Sequence, residues 1–139
     1  MDVIVRRYEE DDYEAVNNIL ENTFGYRKSN MKDDKSFEYV AVLDNNVVGY
    51  FVLNEMKDIV RNINRFHVDY VCVDENYRGL GIGKKMMEEA IRISKEKGIS
   101  VLELTSGNKR IEAHKLYLSL GFEIRDSAIF RKELSWLLR

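Results

Sequence analysis

Between residues 78 and 84 the chain reads Arg78-Gly79-Leu80-Gly81-Ile82-Gly83-Lys84, three glycines alternating with two aliphatic residues. Glycine lets a backbone adopt positive φ and approach a ligand closely. A helix that starts inside the run presents unpaired N–H groups at the positive end of its dipole. Together these make a seat for a phosphate or pyrophosphate. Spacing excludes two familiar phosphate loops. G-x-x-x-x-G-K-[ST] needs glycine at 78 and Ser or Thr at 85, where Arg78 and Lys85 stand. G-x-G-x-x-G needs its third glycine at 84, which is Lys84, and belongs after a first strand rather than mid-chain.

The elements around this turn follow from periodicity. Residues 66–74 form an apolar strand leading into it. Residues 82–97 form a helix, with Ile82, Met86, Ala90 and Ile93 at helical spacing and Gly98 as its stop. Upstream, residues 3–7 alternate as a strand, and Asp11 or Asp12 can cap a helix running to about Asn22 with Val16, Ile19 and Leu20 on one face. Residues 25–36 are polar and predict a mobile loop or a short second helix. Strands at 37–43 and 47–54 flank Asp44-Asn45-Asn46, a hairpin turn by composition. After the long helix come a strand at 99–105, a helix at 110–120 stopped by Gly121, and a closing pair of strands at 122–125 and 128–134. An antiparallel meander thus feeds a helix and then a strand able to pair in parallel with the one before it. The expected fold class is α/β of the α+β kind, a mixed, mostly antiparallel central sheet flanked by helices. It is expected to be one domain over residues 1–139.

Composition narrows the function classes. A content of 45% hydrophobic residues supplies a core. The formal net charge is −2 and no basic stripe stands out, which argues against nucleic acid and membrane surfaces as partners. Cys72 is the one cysteine, so no internal disulfide forms and a reducing compartment is expected. No apolar run approaches the roughly 20 residues of a membrane span, and the first ten residues lack a signal-peptide core. The expectation is a cytoplasmic protein.

Arg78, Gly81 and Gly83 also meet the pattern (Arg/Gln)-x-x-Gly-x-(Gly/Ala). This resembles the pyrophosphate loop with which the GNAT family of N-acetyltransferases holds coenzyme A. Two further blocks carry the resemblance. Val71-Cys72-Val73 leads to Tyr77-Arg78-Gly79, and Ala113-His114-Lys115-Leu116-Tyr117 before Leu120-Gly121-Phe122 looks like the family's A-x-x-x-Y-x-x-x-G-F. The element order is the family's too. Thr105-Ser106, Arg110, Ala113-His114 and Phe130-x-Lys132 resemble the branch that acetylates small aminated molecules. One departure stands out. Many members place Asn seven positions before the tyrosine, on the pantetheine arm; here that position is Arg110, with Asn108 two residues earlier. Arg110 can bond the same arm or a phosphate, and Asn108 can cap the helix.

The resemblance implies a GNAT-like acyl-CoA N-acyltransferase fold with acetyl-CoA as cosubstrate and no metal. It implies that backbone N–H groups of Val71, Cys72 and Val73 face the acetyl group as a small oxyanion hole. The turn from Arg78 through Gly79, Leu80, Gly81, Ile82 and Gly83 to Lys84 would hold the pyrophosphate. Arg110, Ala113, Leu116 and Tyr117 would complete the cofactor site. A phenol near the sulfur can protonate the leaving thiolate, so Tyr117 is the candidate general acid. Its alternative is a core tyrosine packed with Leu116 and Leu120. For the general base, Asp69 lies two residues before Val71 and is the first choice. Glu103, flanked by Leu102 and Leu104, and a water molecule stay open. His67 and His114 are too isolated for a metal site, His114 is expected to be a structural hydrogen-bonding residue, and Cys72 a buried strand cysteine.

The expected activity is therefore acetyl transfer from acetyl-CoA to a primary amine of a small molecule or peptide, by direct attack in a ternary complex. A catalytically silent acyl-CoA-binding or sensing domain is the alternative, and a nucleotide-binding regulatory module conflicts with both failed loop tests. The segments at 22–36 and 55–65, where the family's acceptor specificity lies, carry charges of mixed sign and name no acceptor. The Trp136-Leu137-Leu138 tail is expected to bury against a partner or its own sheet, in a monomer or homodimer.

Overall fold

The computed structural model describes residues 2–138. Five strands form one sheet in the order β1 (Ile4–Arg7), β2 (Ser36–Leu43), β3 (Asn46–Asp58), β4 (Ile63–Val73) and β5 (Val101–Leu104). The first four pair antiparallel, and β5 lies parallel to β4. Among the described residues three α-helices accompany them: α1 (Tyr13–Phe24), α2 (Ile82–Glu96) and α3 (Ile111–Ser119). This is the mixed, mostly antiparallel sheet with flanking helices that the element order predicts.

Strand alternation sends neighbouring side chains to opposite faces and so builds two cores. Phe51, Leu53, Phe66 and Val68 pack on one side with Ile82, Met86, Met87, Ala90 and Ile93 of α2 and with Tyr117 of α3. Val40, Tyr50, Val52 and Cys72 pack on the other with Val16, Ile19 and Leu20 of α1. α2 packs closest on the sheet's backbone at Gly49. A Cβ there would stand 2.8 Å from the Met86 sulfur and 3.2 Å from the Cys72 carbonyl oxygen.

Local chemistry sets the boundaries. Asp44 (φ 50) and Asn45 (φ 65) supply the two positive-φ residues of a tight hairpin turn between β2 and β3. The β3–β4 hairpin runs further than expected, because the Asp58 carboxylate accepts from the Val60 and Arg61 N–H groups and closes the turn near Asn62. Both α2 and α3 end in a glycine with positive φ. Gly121 (φ 94) lets the N–H of Phe122 reach the Tyr117 carbonyl while its own reaches Leu118. Asp12 precedes α1 but does not cap it through its side chain; it grips Arg6 and the Glu9 N–H instead. No helix forms across residues 26–35.

The closing pair of strands at 122–125 and 128–134 does not form. β5 pairs only with β4, and residues 123–134 run exposed without a partner. Alternating or branched side chains favour a strand only where a ladder and a face to bury exist. Trp136 and Leu137 lie in a short 3₁₀ turn and are exposed, so they do not pack on the chain's own sheet.

Candidate active site

The site begins where two strands part. The β4–β5 ladder joins Arg65–Val68 to Val101–Leu104 and stops there, while β4 continues to Val73. A β-bulge opens the gap further. Val52 opposes Asp69 and Tyr50 opposes Cys72, so Tyr70 and Val71 together face Phe51 alone. Tyr70 takes φ 57 to do this, an unusual conformation for a bulky side chain. The Asp74 N–H bonds the Val48 carbonyl toward β3. By alternation, the N–H groups of Val73 and Val71 point to the opposite, unpaired edge, whereas that of Cys72 turns toward β3 and so does not join them as the oxyanion donor expected of it.

A cavity of about 600 Å³ fills this gap. Val71, Cys72 and Val73 line it from β4, Arg78 and Gly83 from the glycine turn, and Arg110, Ala113, Leu116 and Tyr117 from the segment entering α3 and from α3 itself. Residues 22–24 at the end of α1 complete the wall. The glycine turn supplies the expected geometry. Gly79 (φ 80) and Gly81 (φ 84) both adopt positive φ, and beyond their chain neighbours no heavy atom lies within 4 Å of where their Cβ atoms would be. Their backbone is open to a ligand. α2 begins at Ile82, its first turn carries no acidic residue, and Gly81 accepts the first helical bond from Lys85. The Ile82 side chain is buried in the core, so only its backbone is available; Leu80 and Lys84 are exposed. Arg78 donates Nε–H to the Val73 carbonyl at 3.3 Å, which ties the turn to the end of β4. Free N–H groups, a helix dipole and absent carboxylates suit a pyrophosphate.

Tyr117 lines this cavity and a smaller adjoining one of about 80 Å³ shared with Asp69, Tyr70, Thr105 and Arg110. Burial pushes the Tyr117 phenol above its ordinary pKa, opposed by the nearby Arg110 charge, so the hydroxyl keeps its proton. Asp69 faces the smaller cavity, where its carboxylate accepts from the Asn54 amide at 2.6 Å and lies 3.0 Å from His67 Nδ1. Glu103 lines neither cavity and pairs with Arg65 at 3.4 Å. Burial pushes the Cys72 thiol up to about 12, which leaves it inert as a nucleophile. Asn108 does not cap α3, whose N-cap residue is Arg110.

Two features escape the sequence. Phe24, Tyr26 and Tyr70 form an aromatic cluster at the mouth, with Phe24 and Tyr70 edge to face at 5.3 Å. The Tyr26 and Tyr70 hydroxyls meet at 3.4 Å, and this bond with burial pushes the Tyr70 phenol up to about 12. His67 sits between Asp69 and Thr105, with Nε2 3.4 Å from the Thr105 hydroxyl. The sequence signal was present in the i, i+2 spacing of His67 and Asp69 on one strand face, but not the partner across the sheet.

A model of the Acetyltransferase (GNAT) family matches residues 3–122. N-acetylaspartate synthetase of Xenopus tropicalis is 36% identical over 95 residues, which cover 67% of this chain and 33% of that protein. N-acetyltransferase 8B of Homo sapiens is 28% identical over 103 residues, covering 74% and 45% respectively. The chain thus spans less than half the length of these curated relatives. The crystal structure of a Trypanosoma brucei acetyltransferase, 21% identical, is similar in fold with a TM-score of 0.82, covering 95% of this chain and all of the other.

Proposed function

The chain belongs to the GNAT acetyltransferase family, and from that premise we propose that it moves the acetyl group of acetyl-CoA to a primary amine of a small molecule or peptide, by direct attack in a ternary complex. One observation carries the reading. A single cavity is lined by residues of the glycine turn, by the unpaired end of β4 and by a buried tyrosine that keeps its proton. The name of the N-acetylaspartate synthetase relative speaks for a small amine as acceptor.

Acetyl-CoA supplies a thioester whose carbonyl can take an amine. Gly79, Gly81 and the first N–H groups of α2 would hold its pyrophosphate, and Arg110, Ala113 and Leu116 would flank its arm. The N–H groups of Val71 and Val73 point into the gap, where a donor aimed at developing oxyanion charge strengthens as the amine adds. Tyr117 gives its proton to sulfur as the carbon–sulfur bond breaks. The second N–H proton of the new amide nitrogen replaces it. The ammonium form of the acceptor must first lose a proton, and the polar face around Asp69 is where that proton goes.

A thiol-release screen of the protein with acetyl-CoA over amines, amino acids, aminoglycosides, aminophosphonates, polyamines and peptides tests this. Thiol release with at least one amine is expected. Tight coenzyme A binding with no release across the panel would mark a silent acyl-CoA-binding domain instead.

A further inference from the structure

His67, Asp69 and Thr105 lie on one face of the sheet where β4 and β5 part, and the imidazole stands within reach of the other two. His67 pairs with Glu103 in the parallel register, so Thr105, two residues beyond Glu103, stands across the gap at the level of Asp69. Asp69 Oδ1 is 3.0 Å from His67 Nδ1, and the other ring nitrogen is 3.4 Å from Thr105 Oγ1. The second Asp69 oxygen accepts from Asn54 Nδ2 at 2.6 Å. Both carboxylate oxygens are therefore engaged, and the ring is oriented from one side.

Resting on the acetyl-transfer reading, we propose that Thr105 and His67 form a proton relay that neutralises the acceptor amine, with Asp69 as the residue that positions the imidazole. Thr105 lines the smaller cavity beside Tyr117, whereas His67 does not. An ammonium group entering that cavity is drawn by the Asp69 carboxylate and lies beside the Thr105 oxygen. It gives one proton to Oγ1 while the Thr105 hydroxyl gives its own proton to His67 Nε2. The imidazole becomes imidazolium, retains Nδ1–H on Asp69, and later releases the Nε2 proton to solvent. The acceptor nitrogen is left with the lone pair that attacks the carbonyl.

The relay needs one tautomer. A carboxylate accepts only, so a ring that carries its proton on Nδ1, 3.0 Å from Asp69, leaves Nε2 to accept from the hydroxyl. The remaining charged groups near the ring are Arg65 on the same strand face, paired to Glu103, and Arg110 at the smaller cavity. Asn54 is the contribution from β3. A merely structural reading would have the histidine bond a fixed backbone group; here its outer partner is an exposed threonine just past the end of β5.

The experiment has two arms. Nitrogen chemical shifts of the histidines give the tautomer without any substrate, and His67→Gln assigns the signals because the chain has two histidines. The Nδ1–H form is expected for His67, shifting toward a mixture in Asp69→Asn; a neutral ring protonated on Nε2 overturns the relay. With an acceptor in hand, Thr105→Val should lower kcat on the order of 10²-fold, with little change in KM for acetyl-CoA, and Thr105→Ser should restore most of it. His67→Gln should move the acidic limb of the rate profile, and Glu103→Gln should not. An active protein whose Thr105→Val variant keeps full kcat, or whose Thr105→Ser variant is as slow as Val, overturns the relay alone. A protein that releases no thiol with any amine overturns acetyl transfer itself, and the relay with it.

Discussion

One hydroxyl separates the two readings of Tyr117, and Phe removes that hydroxyl while keeping the ring. Tyr117 is buried and meets Phe122 edge to face at 6.0 Å, contacts that Phe would preserve. If the hydroxyl protonates the leaving thiolate, Tyr117→Phe should lower kcat on the order of 10²-fold with acetyl-CoA affinity nearly unchanged. The interaction strengthens only as charge builds on sulfur, which is why binding is spared. Single-turnover rates and coenzyme A titrations measure the two effects separately, and a folded variant with normal kcat would leave the tyrosine a packing residue. At this scale the sequence was legible where chemistry rides on local spacing. Arg78, Gly83 and Tyr117 line one cavity. It was silent where partners come from different strands. Glu103 rivals Asp69 in sequence as the carboxylate of the neighbouring strand; the register puts it on the same face as His67 and Thr105, but there it pairs with Arg65, while Asp69 and Thr105 line the smaller cavity.

Elements hold these residues through their ends. Gly81 precedes α2 with φ 84 and open space around its Cβ position, so its role is conformational, with no crowding to relieve. A β-branched side chain tolerates that φ poorly and would tilt the first N–H groups of α2. Gly81→Val should weaken coenzyme A binding at least tenfold while α2 stays folded, since Ile82, Met86, Met87 and Ala90 remain buried. Calorimetric titration of the folded variant decides it, and unchanged affinity would remove the turn from the site. Of the two capping candidates Asp11 and Asp12, Asp12 is the N-cap residue of α1, but its side chain makes no cap bond and instead clasps β1 through Arg6. Burial would raise its carboxyl pKa, but the paired Arg6 guanidinium and the Glu9 N–H outweigh this and hold it below the usual range. A depressed carboxyl contributes stability above its unfolded pKa of about 4 and loses it as pH falls through the lower folded value. Asp12→Ala should therefore lose about 1–3 kcal/mol near neutrality and progressively less in acid, as denaturant midpoints against pH would show. Equal losses at pH 7 and at pH 2 would mean that the ion pair contributes nothing.

Across the whole molecule, local pattern and available partners part company in the last residues. The chain after Phe122 carries strand-forming side chains at Ile124, Ile129 and Phe130, and a sheet edge at β5 is unpaired. Yet Phe130 is 95% exposed and Trp136 76% exposed, so this segment contributes almost no burial to either core. Periodicity predicts two strands here and they do not form, because pairing depends on where α3 delivers the chain, which no local pattern encodes. The consequence is measurable because Trp136 is the one tryptophan. Its emission should be that of a hydrated indole and should not move on dilution. Removing residues 123–139 should shift the unfolding free energy by no more than about 0.5 kcal/mol, as for surface changes that bury nothing. A blue-shifted emission that reddens on dilution, with a truncated form that unfolds more easily, would show the tail buried against a second copy. Apolar side chains lost from water contribute about 1.5–3 kcal/mol each, so a covered Phe130 and Trp136 would leave a deficit far outside the predicted range. Fluorescence against concentration and denaturant unfolding of the two forms thus separate an idle tail from one that serves an interface.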